Sequence, residues 1–128
     1  MTRIGLISDT HGTLESKLFN FFSEVEEIWH AGDIGGIEIA DRLKKFKPLR
    51  AVYGNIDDQK TRAEYPRENR FFIEEVDVWI THIGGYPGKY DSQIRERISQ
   101  NPPNLFIAGH SHILKVQHDP NLDLLHIN

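Results

Sequence analysis

Short apolar runs and longer helical repeats alternate through the first half of the chain. The apolar run at 3–8 predicts a buried strand, and similar runs predict strands at 28–30 and 49–53. Apolar residues at helical spacing predict amphipathic helices over about 14–25 and over 34–46. This β-α-β-α-β order favours a parallel sheet covered by helices, in which ligands gather at the carboxyl ends of the strands.

The second half of the chain has a different pattern. Residues 56–69 are polar and contain Pro66, which predicts a loop. Alternation of apolar and polar residues predicts two antiparallel strands, at 71–73 and 76–81. The remaining predicted elements are a glycine-rich loop at 84–88, a short helix around Ile94 and Ile98, a strand at 105–108, and a hairpin with arms at 113–117 and 122–127.

Composition narrows the function classes. The 128 residues predict one domain, 1–128, of an ordinary globular protein. A net charge of −4 gives no reason to expect a nucleic-acid partner, and the absence of cysteine excludes disulfides, thiolate zinc sites and cysteine nucleophiles. Because no apolar run approaches about 18 residues and no signal-peptide pattern is present, we expect a cytoplasmic protein without a membrane partner.

Polar residues with metal-binding side chains follow five of the apolar runs. They are Asp9-Thr10-His11, Gly32-Asp33, Gly54-Asn55, Thr81-His82 and Gly109-His110-Ser111-His112. Asp9 and His11 alternate around one residue, so in extended backbone they project the same way and can bind one ion. Carboxylate oxygens with imidazole nitrogens suit Mn²⁺, Fe²⁺, Zn²⁺ or Co²⁺, whereas Ca²⁺ prefers more oxygens. Asp33 is a candidate bridge between two ions, and Asn55 offers a neutral oxygen.

The order of these five motifs resembles the calcineurin-like metallophosphoesterase superfamily, and their compact spacing resembles its small bacterial and archaeal phosphodiesterases. The resemblance covers residues 4–112 and implies an α/β fold, a sandwich of two sheets flanked by helices (αββα). Family chains usually continue beyond a segment like 125–128. The alternative that the second sheet is cut short at its C-terminal end therefore stays open.

The resemblance also implies the ligands and the chemistry. The first ion would be held by Asp9, His11 and His112, and the second by Asn55, His82 and His110, with Asp33 bridging. A water or hydroxide on the metals would attack phosphorus in line, so Asp33, Asn55 and His82 would act in catalysis through it, with no separate general acid assigned. Mn²⁺ is the expected metal, with Fe²⁺, Zn²⁺, Co²⁺ and Ni²⁺ as alternatives.

Two positions depart from the family pattern. Many members place histidine directly after the asparagine of Gly-Asn, as an acid for the leaving group, whereas this chain has Ile56. We therefore expect a phosphodiesterase that favours small or nucleotide-like diesters with acidic leaving alcohols. The family also commonly has glycine after the histidine that corresponds to His82, where this chain has Ile83.

Alternative interpretations remain for the function of the protein and for the roles of single residues. A phosphomonoesterase or nucleotidase would use the same chemistry, and a protein-interaction scaffold of the same fold is known in the superfamily, although that scaffold departs from the ligand histidines. At the residue level, Asp9 and Asp33 could cap helices and Asn55 could form a turn. His30 is either a hydrogen-bond partner of a ligand or a strand-end histidine. Asp57 and Asp58 are interpreted as solvated loop residues, with contact to the site as the alternative.

Overall fold

The first half of the chain forms a three-stranded parallel sheet. The computed structural model describes residues 2–128. Its first five elements are β1 (Ile4–Ile7), α1 (Ser16–Phe21), β2 (Glu27–His30), α2 (Ile37–Phe46) and β3 (Leu49–Ala51). The strands lie in the order β1-β2-β3, and both neighbouring pairs are parallel. The predicted β-α-β-α-β unit is therefore confirmed.

The second half forms a five-stranded mixed sheet. Its elements are α3 (Gln59–Glu64), β4 (Glu68–Ile73), β5 (Val76–Thr81), the short strands β6 (Gly85–Tyr86) and β7 (Lys89–Tyr90), α4 (Arg95–Gln100), β8 (Leu105–Ile107), β9 (Val116–Asp119) and β10 (Leu124–Ile127). The strand order is β4-β5-β8-β10-β9, in which β5, β8 and β10 run parallel and the two outer strands run antiparallel to their neighbours. The strands β6 and β7 pair only with each other.

Three apolar clusters hold the layers together. The central cluster includes Trp29 of the first sheet with Val78 and Ile107 of the second, so it lies between the two sheets. Ile28, the neighbour of Trp29, faces the opposite side and packs with α1 and α2, as the two-residue period of a strand requires. A third cluster packs α4 and β7 on the outer face of β5, β8 and β10. The result is the αββα sandwich that the resemblance implied.

Several predicted boundaries are wrong, each for a local reason. The helix predicted over 34–46 begins only at Ile37, because Gly35 and Gly36 have φ values of +93° and +148°. The helix predicted over 14–25 is limited to α1. The loop predicted over 56–69 contains α3, which begins after Asp58, whose carboxylate accepts the backbone N–H of Thr61 at 3.1 Å.

Two further segments differ from their predictions. The glycine-rich stretch at 84–88 contains β6 and the turn that leads to its partner β7, instead of forming an open loop. The first hairpin arm lies at Val116–Asp119 instead of 113–117. Across residues 2–128, no helix combines the length and apolar character that a transmembrane span requires.

Candidate metal centre

Backbone hydrogen bonds join the loops after β1, β2, β5 and β8 in two pairs. The N–H of Asp9 donates to the carbonyl of Gly32 at 2.9 Å, and that of His11 donates to the carbonyl of Asp33 at 3.0 Å. The N–H of Gly109 donates to the carbonyl of His82 at 2.9 Å. The His82 ring, which hydrogen-bonds the Ala31 carbonyl, and the His110 N–H, which donates to the Asp9 carboxylate, connect the two pairs. Four of the five predicted motifs therefore lie at one rim, and each sheet contributes two of them.

Two carboxylates occupy the middle of this rim. Oδ1 of Asp9 lies 3.1 Å from Nε2 of His112 and 3.5 Å from Nε2 of His11. Oδ2 of Asp33 lies 3.1 Å from Nε2 of His82 and 3.5 Å from Nε2 of His11. His11 therefore approaches both carboxylates. His82 does the same, since its Nε2 is also 3.8 Å from Oδ1 of Asp9.

These side chains form two adjacent groups with the donors of a metal site. One group is Asp9, His11 and His112, and the other is Asp33, His82 and His110. Within each group, one potential ligand atom per residue lies within 4.8 Å of the others. The first group is one of the two ligand sets that the resemblance implied, and the second contains two members of the other set together with the predicted bridge.

The backbone of this rim is strained. Asp9, His11, Asp33, His110 and His112 have φ values of +55°, +49°, +57°, +70° and +60°. This left-handed region costs a residue with a side chain roughly 1–2 kcal/mol. Five such residues at one rim indicate that the fold stabilises an unfavourable backbone in order to aim these side chains at a common point.

His82 fits a divalent cation. It is 3% exposed, and its Nδ1 lies 2.7 Å from the carbonyl oxygen of Ala31, which places the ring proton on Nδ1. In the neutral ring Nε2 then carries a lone pair, and this buried atom has no hydrogen-bond partner within residues 2–128. A lone pair that faces the Asp33 carboxylate at 3.1 Å is repulsive, and either a proton or a metal cation between the two atoms removes the repulsion. Ring orientation by a backbone carbonyl is typical of metal-binding histidines.

Asp9 is held in its charged form. Burial raises the pKa of its carboxyl, but the opposing effects, which include hydrogen bonds from the Ser8 hydroxyl and from the backbone N–H of His110, leave the pKa below its ordinary value. The His110 N–H lies 3.2 Å from Oδ2. Asp9 therefore carries a negative charge at neutral pH, as a ligand of a cation must.

Glycines permit the close approach of these loops. A Cβ at Gly54 would overlap Oδ1 of Asp33, and a Cβ at Gly109 would overlap the Ser8 hydroxyl and come within 3.0 Å of Oδ2 of Asp9. The glycine of the Gly-Asn and Gly-His motifs is thus required by the close approach of the neighbouring loop.

Asn55 and His110 stand apart from the buried part of the rim. The Asn55 side chain is exposed and makes no hydrogen bond to the two groups among the contacts described for residues 2–128, so its ligand role stays a prediction. Asn55 lines a cavity together with His82. The exposed His110 ring packs against that of His82, with centroids 5.3 Å apart and planes at 77°.

Asp57 has a role that the sequence interpretation missed. Its carboxylate is 4% exposed and accepts three backbone N–H groups, from Gly54 and Gly35 at 2.8 Å and from Ile34 at 3.1 Å. It therefore ties the loop that carries Asp33 to the loop that carries Asn55. The available signal was an acidic residue two positions after Asn55, but two of its three partners, Ile34 and Gly35, lie more than twenty residues away.

His30 supports the rim from below. It is fully buried, its Nδ1 accepts the N–H of Gly32 at 3.1 Å, and its Nε2 lies 3.0 Å from the Thr10 hydroxyl. Burial lowers the pKa of His30 to about 4, so the ring is neutral at physiological pH. His30 contacts Thr10, which lies between Asp9 and His11, and Gly32, which precedes Asp33. It contacts no predicted ligand side chain among these hydrogen bonds.

Comparison with known proteins places the chain among metallophosphoesterases. Residues 2–128 match the model of the calcineurin-like phosphoesterase superfamily domain. The chain is 34% identical over 114 residues to a probable metallophosphoesterase of Methanothermobacter thermautotrophicus, an alignment that covers 85% of this chain and 66% of that protein. A probable metallophosphoesterase of Methanocaldococcus jannaschii is 32% identical over 115 residues, covering 85% and 58%. The chain spans about two-thirds or less of the length of these relatives.

Solved structures share the fold at lower identity. An archaeal phosphodiesterase superposes with a TM-score of 0.78 at 24% identity, covering 99% of this chain and 82% of that chain. Vps29 of Chaetomium thermophilum gives 0.80 at 14% identity, covering 100% and 70%. A phosphoesterase of E. coli gives 0.72 at 18% identity, covering 99% and 78%. At these identities the likeness concerns the fold.

Proposed function

The chain belongs to the calcineurin-like phosphoesterase superfamily, and from this membership we propose that it is a divalent-metal-dependent phosphodiesterase. The observation that carries the proposal is the buried Nε2 of His82, which lacks a hydrogen-bond partner and faces the carboxylates of Asp9 and Asp33. Carboxylate and imidazole donors in this arrangement suit Mn²⁺ and its neighbours among the transition metals.

We assign two ions to the rim. The ligands of the first are Asp9, His11 and His112, those of the second are Asn55, His82 and His110, and Asp33 is shared. The position of Asp33 supports a shared role, because its Oδ2 lies within 3.5 Å of His11 and 3.1 Å of His82, one member of each set. Two divalent ions bound there would activate a water molecule for attack at phosphorus and offset the charge of the phosphate oxygens.

The chain's own residues orient this centre. Oδ1 of Asp33 accepts the N–H of Ile56 at 3.1 Å, which leaves Oδ2 directed at the imidazoles. The hydrogen bond from Nδ1 of His82 to the Ala31 carbonyl fixes the orientation of the ring, so that Nε2 on its opposite side is directed at the ion. Both contacts hold the donors in place before any ion binds, which reduces the reorganisation that binding requires.

The test is metal-dependent hydrolysis of an aryl phosphodiester. Protein stripped with a chelator is assayed on bis(4-nitrophenyl) phosphate before and after addition of Mn²⁺, and bound metal is counted in parallel. We expect Mn²⁺ to restore activity, and Asp33→Asn to lower it at least about 100-fold because a shared ligand is weakened. The matched control is Asp41→Asn, an exposed carboxylate on α2 that should behave like the wild type.

Each result decides between the alternatives. Full activity in Asp33→Asn contradicts the proposed centre. Bound Mn²⁺ with hydrolysis of phosphomonoesters but not of diesters favours the phosphomonoesterase. A wild-type protein that neither binds divalent metal nor hydrolyses any phosphate ester favours the non-catalytic scaffold.

A further inference from the structure

A cavity of about 240 Å³ opens directly beside the candidate metal centre. Asn55 and His82 form the wall toward the centre, and Arg62, Arg67 and Glu68 contribute charged side chains to the remainder. A substrate whose phosphate sits at the metal centre would extend a neighbouring group into this space. The charge of the cavity therefore bears on which substrates fit.

Two of these charged residues are already paired within the fold. Arg62 donates from Nε to the carbonyl of Asp57 at 2.8 Å and from Nη2 to the carbonyl of Asn55 at 3.2 Å, and its guanidinium lies over the Tyr53 ring. The carboxylate of Glu68 is neutralised by Arg97, with two hydrogen bonds of 3.0 and 2.9 Å. Neither side chain is free to serve as the main partner of a ligand.

Arg67 differs from both. It is exposed, lies between α3 and β4, and lines the cavity, yet within residues 2–128 its guanidinium has no hydrogen bond, ion pair or ring partner. With Glu68 neutralised, the unpaired guanidinium gives the cavity an excess positive charge in a protein whose net charge is −4. The planar fork of arginine matches two oxygens of a phosphate group.

We propose that Arg67 binds a second phosphate group of the substrate, adjacent to the phosphate that is hydrolysed. This inference rests on the proposed phosphodiesterase function and specifies its substrate class as phosphodiesters that carry a further phosphate, such as a nucleoside 3′-phosphodiester that also carries a 5′-phosphate. Arg67 acts in specificity, since it lines the cavity and is not among the residues assigned to the metals.

Binding of two matched nucleotides tests the subsite without turnover. Thymidine 3′,5′-bisphosphate and thymidine 3′-monophosphate are titrated calorimetrically into the Mn²⁺-loaded protein. One charge-assisted arginine–phosphate contact predicts a preference of about tenfold for the bisphosphate. Arg67→Gln should reduce the ratio to about one, and Arg67→Lys should retain part of it. The control Arg3→Gln removes the same charge at the amino-terminal end of the first sheet and should keep the full ratio.

Hydrolysis of two matched aryl diesters separates this inference from the proposed function. The substrates are thymidine 3′-(4-nitrophenyl phosphate) with and without a 5′-phosphate, which share one leaving group. We expect a higher kcat/KM for the substrate with the 5′-phosphate, and a ratio that falls toward one in Arg67→Gln but not in Arg3→Gln.

The outcomes are distinct. Equal binding of the two nucleotides by the wild type, or a preference that survives Arg67→Gln, overturns the subsite even if both diesters are hydrolysed. A preference that depends on Arg67, together with no hydrolysis of either diester, supports the subsite as a phosphate-binding site and overturns the phosphodiesterase.

Discussion

At the scale of single residues, the polar atoms of the rim divide into those that have a hydrogen-bond partner in the fold and those that have none. His82 uses one ring nitrogen on the Ala31 carbonyl and leaves the other buried without a partner. The Asp33 carboxylate is divided in the same way, with one oxygen on the Ile56 N–H and the other toward the imidazoles. Each group has one atom committed to the fold and one atom available to a cation.

The apolar side chain of Ile56 leads us to expect that substrates need an acidic leaving group. Its side chain is 47% exposed beside the centre and cannot donate a proton, so departure of an alkoxide receives no acid catalysis from this position. We expect turnover of bis(4-nitrophenyl) phosphate to exceed that of an alkyl phosphomonoester by orders of magnitude. Ile56→His should raise hydrolysis of poor leaving groups, up to about 100-fold, and leave the aryl diester less affected.

The matched control for this substitution is Leu125→His, which introduces the same group at a site of similar exposure on β10. Rates measured on a series of aryl and alkyl esters of increasing leaving-group pKa give the comparison directly. Similar turnover of alkyl monoesters and aryl diesters by the wild type would contradict the interpretation of Ile56.

Residue types at the strand ends singled out six side chains that the structure brings together in two groups, and their roles as metal ligands stay predictions. Residue types could not predict the role of Asp57. Its function depends on N–H groups from Ile34 and Gly35, which approach it only after α2 and β3 have folded. A carboxylate whose partners are all backbone atoms leaves no side-chain pattern in the sequence.

At the scale of elements, the Asp57 carboxylate fixes the loop after β2 against the loop after β3. Replacement by asparagine turns an amide NH₂ toward N–H donors and leaves part of this buried network unsatisfied. We expect Asp57→Asn to lower the free energy of unfolding by about 1–3 kcal/mol and to weaken Mn²⁺ binding, measured by denaturant titration and calorimetry.

Asp58→Asn is the control, since it makes the same change at the neighbouring residue. Asp58 caps α3 through the Thr61 N–H, and asparagine caps a helix about as well as aspartate, so stability and metal affinity should both be retained. Unchanged Mn²⁺ affinity in a folded Asp57→Asn protein would show that Asp57 does not position the centre.

The same scale explains why α3 was predicted as a loop. Among its residues only Thr61 is buried, so the helix has no apolar stripe for a periodic pattern to detect. The helix α2 was predicted correctly because it buries Ile39, Ala40 and Leu43 on one face. Only its start was predicted three residues too early, since Gly35 and Gly36 have non-helical backbone. Periodicity finds elements that bury a face and misses those held mainly by their caps.

At the scale of the whole molecule, the two-sheet sandwich brings loops from both sheets to one rim. The parallel sheet was predictable from its β-α-β-α-β pattern. The partnership of the two sheets was not, because the central cluster joins residues such as Trp29 and Val78 that are far apart in the chain, and that expectation came only from the family resemblance.

His126 makes the stability of the fold depend on pH. It is fully buried on β10 and stacks on Phe106, and burial with the nearby charge of Lys115 lowers its pKa from 6.5 to about 4. Between these values the unfolded chain takes up a proton that the folded chain does not, so the free energy of unfolding falls as the pH falls from about 6.5 to about 4.

Denaturant titrations of metal-free protein across this pH range test that dependence. His126→Leu should make it shallower but not abolish it, because the pKa of His30 is lowered in the same way. His118→Leu, at an exposed position of the same hairpin, should keep the wild-type slope. A His126→Leu slope equal to that of the wild type would contradict this assignment.

The most direct test of the two-ion centre is an anomalous difference map from crystals of the protein grown with Mn²⁺. Two peaks roughly 3.5–4 Å apart are expected, one among Asp9, His11 and His112 and the other beside His82 and His110, with Asp33 between them. A map with no peak at this rim, or with one peak that Asp33 does not contact, would contradict the two-ion centre.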